Sequence, residues 1–177
     1  MIEPPVPVLI SIVAPDRVGL IAEVTGALYD LGANLGDTAF AVLGAGCEFS
    51  CVAEMPKAVP AAEVEAALRR LPSLAGADLR VTAFPFAEGK EAAADITHVV
   101  EVEGGDRPGL IARMSEVFTE FGANVVRMNS RRVAGPSGTR YLTMFAVAMP
   151  AGRAESCLAA AHNTAGQLNL LCRYRTA

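Results

Sequence analysis

The chain has 177 residues, a net charge of −4 and 52% hydrophobic residues, a length that suits one large domain or two small ones. The acidic balance argues against direct binding to a nucleic-acid backbone. No apolar run reaches the ~18 residues a membrane-crossing helix needs, and Met1-Ile2-Glu3-Pro4-Pro5 lacks the basic start of a secretory signal, so a cytoplasmic protein is the expectation.

The first element is a short β-branched run, Val8-Leu9-Ile10-Ser11-Ile12-Val13, which reads as a buried strand. A helix follows, with Leu20, Ile21, Val24, Leu28 and Leu31 at helical spacing. Asp16 is placed to cap it or to offset its dipole, and Gly32 stands where a helix ends on a left-handed residue. A second strand is expected over about 34–43, a turn at Gly44-Ala45-Gly46, and a third strand over 47–55. Val64, Ala67, Leu68 and Leu71 mark a second helix, and a last strand covers about 78–84.

The chain then repeats itself. Residues 104–125, GGDRPGLIARMSEVFTEFGANV, follow residues 14–35, APDRVGLIAEVTGALYDLGANL, at a constant offset of 90. One small folding unit has been duplicated. The second copy runs from a strand at 98–103 through a helix led by Pro108 and carrying Leu110, Ile111, Met114, Phe118 and Phe121. Gly122 ends that helix, and strands follow at 124–133 and 140–149 around a turn at 134–139 that carries four extra residues. A helix bearing Ala154, Cys157, Leu158 and Ala161 and a strand at 168–175 complete it. Each half reads βαββαβ, an α+β order that gives a four-stranded antiparallel sheet with two helices on one face, a ferredoxin-like unit. The expected boundaries are 1–87 and 96–177, joined by a small, polar linker at 88–95.

Domains this small bury only about 60–65% of their unfolded surface, so the high apolar content suggests a further buried face, between domains or between subunits of a homodimer. Charge is uneven: residues 1–95 carry 6 Lys/Arg against 13 Asp/Glu, a net −7, and residues 96–177 carry 9 against 6, a net +3. That asymmetry could orient the halves or a protein partner. Arg127, Arg131, Arg132 and Arg140 gather around the second hairpin, where they fit either a solvated edge guarded against strand pairing or a protein-docking patch. Cys47 and Cys51 are four strand residues apart, roughly 13 Å, too far for a disulfide within the strand. Buried free thiols are the expectation for these two and for Cys157 and Cys172.

A first strand, then DRxGLIA, an amphipathic helix, GAN and two strands resembles an ACT domain, and the resemblance covers both halves. ACT domains are small regulatory modules that commonly bind amino acids. The stretch Ala41-Val42-Leu43-Gly44 leading into Cys47-Glu48-Phe49 is similar to the tandem-ACT group that includes transcriptional repressors of the glycine cleavage system. The resemblance implies a ligand between the first helical turn of one unit and a partner's strand-two turn. It assigns ligand binding to Asp16, Arg17, Gly19, Leu20 and Asn34, and to Asp106, Arg107, Gly109, Leu110 and Asn124. The chemistry is consistent with a zwitterion: open N–H groups at a helix N-terminus suit a carboxylate, and Asn34 and Asn124 offer side-chain oxygens to an ammonium. The same residues also fit caps, left-handed turns, salt bridges and core positions.

Catalysis has little to work with. His98 and His162 have no HxxxH, CxxC or paired-carboxylate companions, so no metal is expected. Gly104-Gly105 opens no GxGxxG, and the serines lack a nucleophile-elbow setting. The expectation is a non-enzymatic regulator with no cofactor, binding a small amino acid, glycine or serine first, and modulating a protein partner in control of amino-acid metabolism. The alternative is a ligand-free ACT scaffold for dimerisation or protein–protein interaction.

Overall fold

Alternation along the first strand sets the architecture. Val8, Ile10, Ile12 and Ala14 are buried, and the residues between them turn to the opposite face. The computed structural model describes residues 6–86, 95–105, 107–135 and 138–177. They fall into two compact units, Met1–Ala87 and Glu88–Ala177. The expected linker at 88–95 lies outside the described residues except for Asp95.

In the first unit the order is β1 (Val6–Pro15), α1 (Leu20–Asp30), β2 (Asn34–Leu43), β3 (Gly46–Met55), α2 (Ala61–Leu68) and β4 (Asp78–Ala83). The second repeats it as β5 (His98–Gly104), α3 (Leu110–Glu120), β6 (Asn124–Gly135), β7 (Gly138–Ala148), α4 (Ala154–Gln167) and β8 (Leu171–Thr176). The sheets run β2-β3-β1-β4 and β6-β7-β5-β8, with every pairing antiparallel. Leu20, Val24 and Leu28 of α1 and Val64 and Leu68 of α2 pack into one core with the inward strand residues, so both helices lie on one face. The second core has the same form around Met114, Phe118, Phe145 and Ala161. These are two βαββαβ ferredoxin-like units.

Several local expectations need correction. Pro108 lies in the turn ahead of α3 and not within its first turn. Ile21 and Ile111 leave the apolar stripe and are exposed, each at 42%. Leu71 lies beyond the end of α2, before a 3-10 turn at Pro72–Leu74. The strand expected from 168 starts at Leu171, because α4 runs on to Gln167 and ends on Asn169 at φ 57. Asparagine tolerates that left-handed position. The four extra residues do not make a long loop. They extend the hairpin itself, so that β6 and β7 stay paired as far as Gly135↔Gly138, and residues 136 and 137 lie outside the described residues.

One charged contact ties a helix to the sheet. Arg69 donates to Glu65 Oε1 at 2.7 Å and to the Leu79 carbonyl at 2.7 Å, while the Val81 amide donates to Glu65 Oε2 at 3.4 Å. The hydrogen bond from Arg69 holds the Glu65 carboxyl below its usual pKa.

The four cysteines are all free and buried. Burial pushes the thiols of Cys51, Cys157 and Cys172 up, which keeps them protonated and unreactive. Native protein at pH 8 is therefore expected to react slowly with iodoacetamide and to release four reactive thiols on unfolding, countable by mass spectrometry. Fast modification of the native protein would contradict this packing.

Candidate functional site

The N-terminus of α1 is built without a side-chain cap. Gly19 is the N-cap residue, at φ 91, and the cap makes no side-chain hydrogen bond. Gly109 does the same for α3 at φ 86. A left-handed residue is what lets the chain leave the first strand and enter the helix in this space, and glycine takes it without strain. Asp16 is therefore not the helix cap, contrary to expectation. Its backbone N–H instead bonds the Ala45 carbonyl at 3.1 Å. Asp106 lies outside the described residues. The first intrahelical bonds are Glu23 N–H to Gly19 and Arg113 N–H to Gly109, so Ile21 and Ala22, like Ile111 and Ala112, present first-turn amides that no helical carbonyl can reach.

In the second unit these amides open on a cavity of about 190 Å³ lined by Gly105, Arg107, Gly109, Leu110, Ile111 and Ala112 and by the strand residues Ser130, Tyr141 and Thr143. Ser130 Oγ and Thr143 Oγ1 are 2.8 Å apart, and Thr143 is only 1% exposed. Two residues further along the ladder, on the same face, Arg132 Nε donates to Tyr141 Oη at 2.6 Å and its guanidinium lies 5.4 Å from that ring's centre. In the first unit the corresponding loop, Asp16–Ala22, borders an open depression of about 480 Å³ whose one lining strand residue is Phe40. Arg17 there reaches away to the Pro72 carbonyl at 3.3 Å.

The remaining expected residues do not converge on these openings within either unit. Asn34 and Asn124 begin β2 and β6, beyond the far ends of helices of 11 residues, about 16 Å from the N-terminal turns. Asn34 Nδ2 donates to Glu54 Oε2 at 3.0 Å. Leu20 and Leu110 are core residues, 1% and 8% exposed. The arginine cluster divides between the two faces of its sheet. Arg127, Arg131 and Arg140 share one face, where Arg140 pairs with Glu103 at 3.1 Å, and Arg132 stands on the other beside Tyr141. Ser130, Tyr141 and Thr143 were missed as site residues. The repeat offsets held the signal, since 90 carries Phe40 to Ser130 and 94 carries Phe49 to Thr143. Among the described residues no group of His, Cys, Asp and Glu could hold a metal ion, and no helix is long and apolar enough to cross a membrane.

Family comparison agrees with this geometry. Residues 7–82 and residues 98–155 each match an ACT domain family, and between them the matches cover more than half of the chain. The chain belongs to the ACT domain family, with two such domains in tandem. Among solved structures it is similar to an unknown protein from Galdieria sulphuraria, at 20% identity and a TM-score of 0.74 over 97% of this chain and 98% of that one. It is also similar to a protein provisionally described as a glycine cleavage system transcriptional repressor, at 16% identity and a TM-score of 0.68 over 97% of each chain. At these identities the likeness is one of fold. Comparison with curated protein sequences finds no match.

Proposed function

We propose that this protein is a non-catalytic, cytoplasmic regulator that binds a small amino acid at a helix N-terminus and passes the signal to a protein partner, as a homodimer whose subunits each carry domains at 1–87 and 96–177. The observation that carries this reading is the glycine-capped helix start whose open amides face a cavity. Such a start suits a carboxylate through directed N–H groups and the helix dipole. A ligand that favours one arrangement of domains or subunits shifts the population toward it by its differential affinity. The similarity to a protein described as a glycine cleavage repressor supports glycine or serine as the first ligands to try and transcriptional control of amino-acid metabolism as the setting.

A thermal-shift panel of the twenty amino acids tests it. A ligand at 100 times its Kd adds about 2.7 kcal/mol of stability, so a selective rise in Tm is the expected result. A flat panel would refute the sensor and favour the scaffold reading. One observation already favours a scaffold role for the first unit: Val18, Ile21 and Phe40 line its depression and are exposed, and Val42, two residues from Phe40 on the same face of β2, is exposed beside them, an apolar surface of the kind that marks interaction sites.

A further inference from the structure

Between the repeats, the pair of side chains facing each other across the sheet beside the first helical turn has changed character. Phe40 faces Phe49 in the first unit, and Ser130 faces Thr143 at the same place in the second. Two residues further along, on the same face, the pair is Val42 with Cys47 in the first unit and Arg132 with Tyr141 in the second. The backbones agree, down to the left-handed glycine and a single bulge early in β2 and in β6. What differs is the chemistry offered to anything held by the first-turn amides.

We infer that only the second unit binds the amino acid, and that it selects glycine or a small polar side chain (serine, threonine or asparagine) over apolar ones. This rests on the sensor reading above. The carboxylate would take the Ile111 and Ala112 amides, with Arg107 at the rim. Two hydroxyls 2.8 Å apart share one hydrogen bond, which uses one of their two O–H donors and one lone pair. The pair therefore keeps a donor and acceptor sites for an ammonium or a ligand hydroxyl or amide. An apolar side chain would leave the buried Thr143 hydroxyl without that second partner and lose affinity. At about 190 Å³ the cavity is below the ~300–1,000 Å³ of pockets for drug-sized ligands, which suits a ligand of a few heavy atoms. In the first unit Phe40 stands in the place of Ser130 and offers no hydroxyl, and the acceptor left to an ammonium is the Asp16 carboxylate at the loop of a wider, open depression, which holds a small ligand less closely than the hydroxyl-lined cavity does.

Isothermal titration of the full chain with glycine, L-serine, L-threonine and L-asparagine, and with L-leucine as the apolar control, tests this. One site per chain is expected. Thr143→Val, nearly isosteric, should weaken binding about tenfold or more, Thr143→Ser should retain it, and Phe40→Ser should leave it unchanged. Ser130→Ala, at an exposed position, gives the same reading should Thr143→Val fail to fold. Two sites per chain, tighter binding of leucine, or a loss on Phe40→Ser would overturn the inference while leaving an amino-acid sensor in place. Silence across all twenty amino acids would remove both.

Discussion

Phe118→Ala is expected to destabilise the second unit by about 3–5 kcal/mol. Phe118 is 1% exposed, and its ring meets Phe145 edge to face at 5.4 Å between centres. The cavity left by the ring lies under the middle of the sheet, where α3, β7 and α4 supply one core and none can close in without leaving the others. Small domains have only about 5–15 kcal/mol in total, so the loss consumes a large part of the unit's stability. Urea denaturation followed by far-UV circular dichroism would show it as an earlier transition. Tyr29→Ala is the control, since Tyr29 is 78% exposed, and it should stay within about 0.5 kcal/mol of the parent. Equal effects for the two substitutions would contradict the core described here.

The second large effect separates two residues that the repeat makes equivalent. Gly32 and Gly122 end α1 and α3 at φ 79 and φ 70, and alanine in either place takes on a left-handed strain of about 1–2 kcal/mol. Their surroundings differ. A Cβ on Gly32 would sit 3.2 Å from Pro56 Cγ, tighter than ordinary contact, whereas on Gly122 its nearest neighbour is Pro150 Cγ at 3.9 Å. Gly32→Ala should therefore cost more than Gly122→Ala. With about 4–8 °C of Tm for each kcal/mol in a domain of this size, calorimetry resolves the difference. A larger drop for Gly122→Ala would mean that the Pro56 contact relaxes freely.

Most of the fold could be read from the chain because its signals are local. The stripe of Val24 and Leu28, the alternation of Val8, Ile10 and Ile12 and the glycines after each first helix act through neighbours in sequence, and the duplication states each of them twice. The site was less legible. Asp16 looked like a cap because aspartate before a helix usually is one, but the left-handed turn at Gly19 places the helix start three residues later. Asn34 shared a motif with the loop and not a location, since a whole helix separates them. The pairing of Ser130 with Thr143 depends on a bulge between Val125 and Arg127 and on where the hairpin turns. A one-residue slip in either exchanges the faces of every side chain, and no short stretch of sequence fixes that register.

The order of strands in each sheet also decides when a unit comes into being. β1 lies in the interior of its sheet and pairs with β4, Val8 with Ala83 at one end and Val13 with Asp78 at the other. The first segment synthesised is thus completed only by the last. Until residues 78–83 leave the ribosome, Ile10 and Ile12 have a bare edge beside them, and the contacts that must form are among the most distant in the unit. Such non-local closure slows folding and leaves a nascent strand open to pairing with the wrong neighbour. β4 leaves the ribosome before β5, so the gap beside β1 closes during synthesis; it is in refolding of the whole chain from denaturant, with the same strand order repeated about 90 residues later, that strands of one half can pair with those of the other.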